Sequence, residues 1–114
     1  MILVVFEVTM KPGAAPAYFD LAAALRPELD GVDGFLSVER FQSLVTEGKY
    51  LSLSAWRDEA AVQTWRANLR HRAAQDRGKT EIFAEFRIRV AEVLRDYDLA
   101  DRVGADRAGA ASTS

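Results

Sequence analysis

The stretch FLSVERFQSLVTEGKYLSLSAW, residues 35–56, alternates in side-chain character on both sides of Thr46-Glu47-Gly48-Lys49. In residues 35–43, Phe35, Ser37, Glu39 and Phe41 fall on one face, and Leu36, Val38, Arg40 and Gln42 on the other. In residues 50–56, Leu51, Leu53 and Ala55 oppose Tyr50, Ser52, Ser54 and Trp56. A period of two is that of a β-strand, because successive side chains leave opposite faces of the pleat. The TEGK segment closes the two strands into a hairpin. An antiparallel hairpin therefore sits in the middle of the chain.

Outward from it, the period changes to that of a helix on both sides. Downstream, Asp58 is a good N-cap, and Ala61, Val62, Trp65 and Leu69 form one apolar stripe in a helix expected to reach Gln75 and to end at Gly78. Upstream, DGVDG is a turn, preceded by a stripe of Tyr18, Leu21, Ala22, Leu25 and Leu29 that opens at Pro16. Pro27 is expected to kink that helix or end it near Arg26. Each helix is flanked by a further strand. Residues 2–10 are apolar on both faces. Residues 85–94 carry Phe86, Ile88, Val90 and Leu94 on one face and Arg87, Arg89, Ala91 and Val93 on the other. The order β-α-β-β-α-β is that of a ferredoxin-like α+β fold, with two helices on one face of a four-stranded antiparallel sheet. The other sheet face is also apolar, so a homodimer with its sheets face to face is expected. Residues 1–98 read as one domain, and 99–114 as a disordered tail.

Composition narrows the function. A formal net charge of -2 is not that of a nucleic-acid binder, and no polybasic run or long apolar span points to a membrane. With no cysteine, disulfides, thiolate metal sites and a thiol nucleophile are excluded. The apolar start MILVVFEVTM lacks the basic region and cleavage site of a signal peptide, so a cytoplasmic location is expected. No phosphate loop, nucleophile elbow, dinucleotide fingerprint or His/carboxylate metal spacing is present.

Three residue types carry candidate chemistry. Trp65 offers an indole wall that could hold a flat ring by stacking. His71 is the sole imidazole and could serve as a general base or an iron ligand. Six residues advance a helix by ~600°, so on an unbroken helix its ring points ~120° away from Trp65. Arg87, with Arg89, could clamp an anionic substrate or stabilise a phenolate or enolate. The alternative for both arginines is structural ion pairing, with Glu7, Glu39 or Glu92. Tyr50, Ser52, Ser54 and Trp56 form a polar-aromatic strand face that could line a cavity.

The segments VVFEVTMKPG, GFLSVERFQS, GKYLSLSAWRDEAAVQTWR, HRAAQDRG and FRIRVAEVLRDY, in this order and spacing, resemble the antibiotic biosynthesis monooxygenase superfamily. Its members are dimeric α+β barrels. They include cofactor-free oxygenases of polyketide phenols, quinol monooxygenases and haem-degrading monooxygenases. The resemblance implies a small monooxygenase acting on a flat aromatic or quinol-like substrate without a bound cofactor. The alternatives are a haem-binding or haem-degrading protein and a non-enzymatic dimeric ligand binder. It implies a cavity-lining role for Trp65, and it matches His71 to a recurrent histidine six residues further on. The haem-degrading type keeps an axial histidine where this chain has Gln75, and an asparagine where it has Phe6. The phenol-oxidising type keeps an asparagine where it has Ala61. The expected site is thus Trp65, His71 and Arg87 for catalysis, with Phe6, Tyr50, Trp56 and Arg89 around the substrate.

Overall fold

A computed structural model describes residues 1–75 and 82–101, with residues 70–75 described by their backbone alone. The elements follow in the order β1 (Ile2–Met10), α1 (Ala15–Asp30), β2 (Phe35–Gln42), β3 (Lys49–Trp56), α2 (Glu59–Gln75) and β4 (Phe83–Glu92). The strands form one sheet in the order β2-β3-β1-β4, every neighbouring pair antiparallel. This is the ferredoxin-like arrangement that the sequence implies. The described chain closes on a helical turn at 99–101, where the Asp98 carboxylate accepts from the Asp101 backbone N–H at 2.9 Å. Gly78 and residues 102–114 of the expected tail lie outside the described residues.

Three local expectations need correction. α1 runs through Pro27 to Asp30. Proline there forfeits one helical hydrogen bond near the end of the helix, where the loss is smallest. Burial of Leu29, the Arg26–Asp30 ion pair at 2.9 Å and the Gly31 N–H donated to the Glu28 carbonyl hold the last turn. In β2 the register shifts between Phe35 and Ser37, so Phe35 pairs with Trp56 and Ser37 with Ala55. Leu36 is the extra residue, and Phe35 joins the face of Val38 and Arg40 instead of that of Ser37. Its ring meets the Trp56 indole edge-on at 5.3 Å. A second shift, between Thr9 and Met10, starts β4 at Phe83. Phe83 pairs with Met10 and packs against Phe6 and Tyr18, while Leu94 falls beyond the strand and is exposed.

Strand register sorts the side chains onto two faces. Ile2, Val4, Phe6, Val8 and Met10 share the helix-covered face with Tyr50, Ser52, Ser54 and Trp56 of β3 and with Phe86, Ile88 and Val90 of β4. Leu3, Val5, Leu51, Leu53, Ala55 and Ala91 make the centre of the opposite, open face. Its polar margin holds Glu7, Glu39, Arg87 and Arg89.

The core under the helices is split in two. One cluster is Leu29, Val32, Trp56, Ala61 and Val62. The other is Val8, Met10 and Tyr18. Tyr18 and Leu29 are the buried residues of α1 and stand near its two ends, about 16 Å apart along the axis at 1.5 Å per residue. Between them Leu21, Ala22 and Leu25 are only half-buried. The helix thus touches the core at both ends and bridges a gap in the middle.

Polar contacts fix the start of α2 at the first cluster. The Asp58 carboxylate accepts from the Ala61 N–H at 2.9 Å and from Arg57 Nε at 2.9 Å. Arg57 also holds both oxygens of Asp33 at 3.2 Å, and its N–H donates to the Gly34 carbonyl at 2.7 Å. Gly34 has φ +93°, and a Cβ there would come within 2.8 Å of the Ala61 Cβ, so this close approach requires glycine. The Arg57 guanidinium, and after it the Ala61 N–H, holds the Asp58 carboxyl below the usual carboxylate range. A carboxyl depressed in the folded state stabilises it above the unfolded pKa, and that contribution fades as pH falls through the folded-state value. Asp58→Asn keeps a capping oxygen but loses the charge. It should melt below the wild type at neutral pH, with the gap closing as the buffer is taken down through the carboxylate range. A pH-independent gap in thermal melts would contradict this.

Candidate functional site

The gap between the two core clusters is a cavity of about 500 Å³. Its floor is the sheet, with Val4, Phe6, Ser52, Ser54 and Val90 among the residues facing it. Its roof is the half-buried stretch of α1 and the Val62, Trp65, Arg66 and Leu69 positions of α2. These positions have the spacing of a core-facing stripe, because a helix wall over a cavity needs the same geometry as one over packed side chains. A sealed apolar void of that size would cost roughly 12 kcal/mol at ~24 cal/mol per Å³, as much as the whole stability of many domains. An apolar space this large is of the size and character of a ligand site.

The charged groups described on the wall are of one sign. Arg26, Arg40 and Arg66 line the cavity together with Tyr18, Ser52 and Ser54, and no described lining residue is acidic. Arg26 is paired with Asp30 and lies over the Phe35 ring at 5.6 Å. Arg40 lies over the Tyr18 ring at 5.7 Å and donates from Nε to the Tyr18 hydroxyl at 3.3 Å. Ser54 Oγ accepts from Trp56 Nε1 at 2.9 Å. Among the described residues, no group of three or more His, Cys, Asp or Glu side chains is placed to hold a metal ion. No described helix is long and apolar enough to cross a membrane.

The residues expected from sequence divide as follows. Trp65, Phe6 and Trp56 line the cavity. Trp56 does so as core, 1% exposed, whereas Trp65 is half-buried and packs on the edge of the first cluster. Tyr50 shares the helix-covered face but packs against the second cluster and edge-on to Phe19 at 5.2 Å, away from the cavity wall. Arg87 and Arg89 are not brought to the cavity. They pair with Glu7 and Val5 of β1 in register, which sets them on the open face, and Arg89 reaches Glu7 at 3.4 Å. The side chain of His71 lies outside the described residues, although α2 continues unbroken through its position. The arginines that do reach the cavity include Arg40, which sequence parity had already put on one strand face with Val38. The legible signal was the match of that face to the polar face of β3, since Arg40 pairs with Ser52 and Val38 with Ser54.

The comparisons agree with this geometry. The family profile for "Antibiotic biosynthesis monooxygenase" matches residues 1–77. A jasmonate monooxygenase of Pyricularia oryzae is 39% identical over 93 residues, which are 82% of this chain and 43% of that protein. The chain thus spans about half or less of the length of the curated relatives it matches. A heme-degrader of Mycobacterium tuberculosis, solved with two hemes in its active site, superposes with a TM-score of 0.66 at 18% identity, covering 86% of this chain and 100% of that one. The protein PA3566 of Pseudomonas aeruginosa superposes with a TM-score of 0.66 at 22% identity, covering 82% and 94%. At such identities the superpositions speak to the fold, and the profile, spanning most of the chain, speaks to descent. With the strand order and the helix-roofed cavity, it shows that the chain belongs to the antibiotic biosynthesis monooxygenase family.

Proposed function

We propose that this protein is a monooxygenase that oxidises a small, flat and largely apolar substrate in the helix-roofed cavity, without a resident cofactor and as a homodimer. The observation that carries the reading is the wall itself: an apolar space of about 500 Å³, flanked by Trp65 and Phe6, whose charged groups among the described residues are guanidiniums. Apolar walls desolvate a flat ring, and a positive field favours the conjugate base of an acidic O–H or C–H. In the reaction such a substrate loses a proton, and its anion gives one electron to O2. The substrate radical and superoxide combine to a peroxide. Loss of water then leaves one oxygen atom in the product and carries off the other. His71 remains the sequence-based candidate for the base. The arginine field makes solvent a sufficient acceptor for a substrate acidic enough.

Haem fits the described donors poorly. The described lining residues include no imidazole, thiolate or thioether, and Tyr18, the one phenol among them, is engaged by Arg40. No step is therefore routed through haem. Oxygen uptake with a panel of phenols, quinols and jasmonate in chelator-treated buffer tests the reading. Substrate-dependent uptake of one O2 per product is expected, with a haemin titration giving the same spectrum for the wild type and His71→Ala. Turnover that requires added haemin or metal, or none across the panel, would sink it.

A further inference from the structure

We propose that the substrate carries a carboxylate on its apolar body, and that the Arg40 guanidinium anchors it. This rests on the reading of the cavity as the substrate site and adds the substrate's charge and orientation.

The three lining arginines among the described residues are not equivalent. Arg26 is committed to Asp30 at 2.9 Å. Arg66 stands on the exposed flank of α2, where the positions three and four residues away (Val62, Gln63, Leu69 and Arg70) supply no acid and no described contact holds its head. Arg40 also has no carboxylate within ion-pair distance among the described residues, but its head is held in place. The Tyr18 ring supports it at 5.7 Å, and the Tyr18 hydroxyl accepts a hydrogen bond from its Nε–H at 3.3 Å. That leaves the Nη donors for a ligand. Tyr18 is 5% exposed, and a hydroxyl that accepts from Arg40 still has its own proton to donate. Ser52, the cross-strand partner of Arg40, adds another hydroxyl on the same wall.

A fixed guanidinium with hydroxyls beside it matches a planar carboxylate, which accepts two parallel N–H bonds. One preorganised arginine balances a monoanion and leaves a phosphate dianion half compensated. A cationic ligand would meet three like charges. The anchor also sets direction. Arg40 and Tyr18 lie at the second core cluster and Trp65 at the first, so a ligand held at Arg40 extends its apolar body toward the indole.

Calorimetric titration of the full chain with 1-naphthylacetate, 1-naphthylacetamide and 1-naphthylmethyl phosphate tests this. The acetate should bind about ten- to a hundredfold more tightly than the amide, the range of a charge-assisted hydrogen bond, and more tightly than the phosphate. Arg40→Met should bring the acetate down to the amide and leave the amide unchanged. Arg40→Lys should restore part of the preference, which also shows that the site folds. Arg66→Met should weaken the acetate less, and Arg95→Met, beyond the end of β4, exposed and not on the wall, not at all. Equal binding of acetate and amide by the wild type would remove the anchor and leave the cavity reading intact. A preference that survives Arg40→Met or vanishes in Arg66→Met alone would overturn the assignment to Arg40. Tighter binding of the phosphate would overturn the ligand class. Failure of all three probes to bind would overturn the anchor and the cavity reading together.

Discussion

Trp56→Ala should destabilise the protein by about 3–5 kcal/mol, the range for a large buried aromatic. Trp56 is 1% exposed, sits in the first core cluster, and takes the edge of Phe35 at 5.3 Å. Its removal also leaves the buried Ser54 hydroxyl without the indole N–H that it accepts from. Trp65→Ala should cost clearly less, because that indole is only partly buried and lines the cavity, and its loss should appear in ligand affinity. Chemical denaturation of both variants checks this. Equal losses, or a larger one for Trp65, would mean that the cavity is filled in solution by a rearranged core.

The second large effect concerns the open sheet face. Leu53 stands at its centre, between Val5 on β1 and Glu39 on β2. If two copies pack by this face, Leu53→Asp buries a charge without a partner in each. A lone buried charge costs about 3–5 kcal/mol, and two-fold symmetry doubles the count. The dimer dissociation constant should rise by at least about 10,000-fold, giving a folded monomer at micromolar concentration by light scattering. A wild-type monomer, or a variant that stays dimeric, would show that this face is not the interface.

Much of this was legible in the sequence, and the rest was hidden for identifiable reasons. The period of two around TEGK and the two helical stripes give the element order directly. The register shift at Leu36 was not legible, because Phe35 alternates correctly with Ser37 and nothing in the local pattern marks an extra residue. The place of Arg87 and Arg89 was ambiguous from one strand alone. It follows from pairing with β1, where Val8 and Phe6 fix which side of β4 faces the helices. The polar-aromatic face of β3 marked the floor of the cavity, but its α1 roof left no mark, since Leu21, Ala22 and Leu25 have the same spacing whether they pack on a sheet or roof a space above it.

If oxidation takes place in that space, filling it must stop the reaction. Ala22 is half-buried on its roof, in the middle of α1 and away from both core clusters. A large side chain there should fill the cavity and leave the clusters packed. The decisive measurement is incorporation of label from 18O2 into product by the wild type and by Ala22→Trp, each with its thermal melt. One labelled oxygen per product is expected for the wild type, and at least about a hundredfold slower labelling by a variant that melts no lower. Undiminished labelling by a folded Ala22→Trp would place the chemistry elsewhere on the protein.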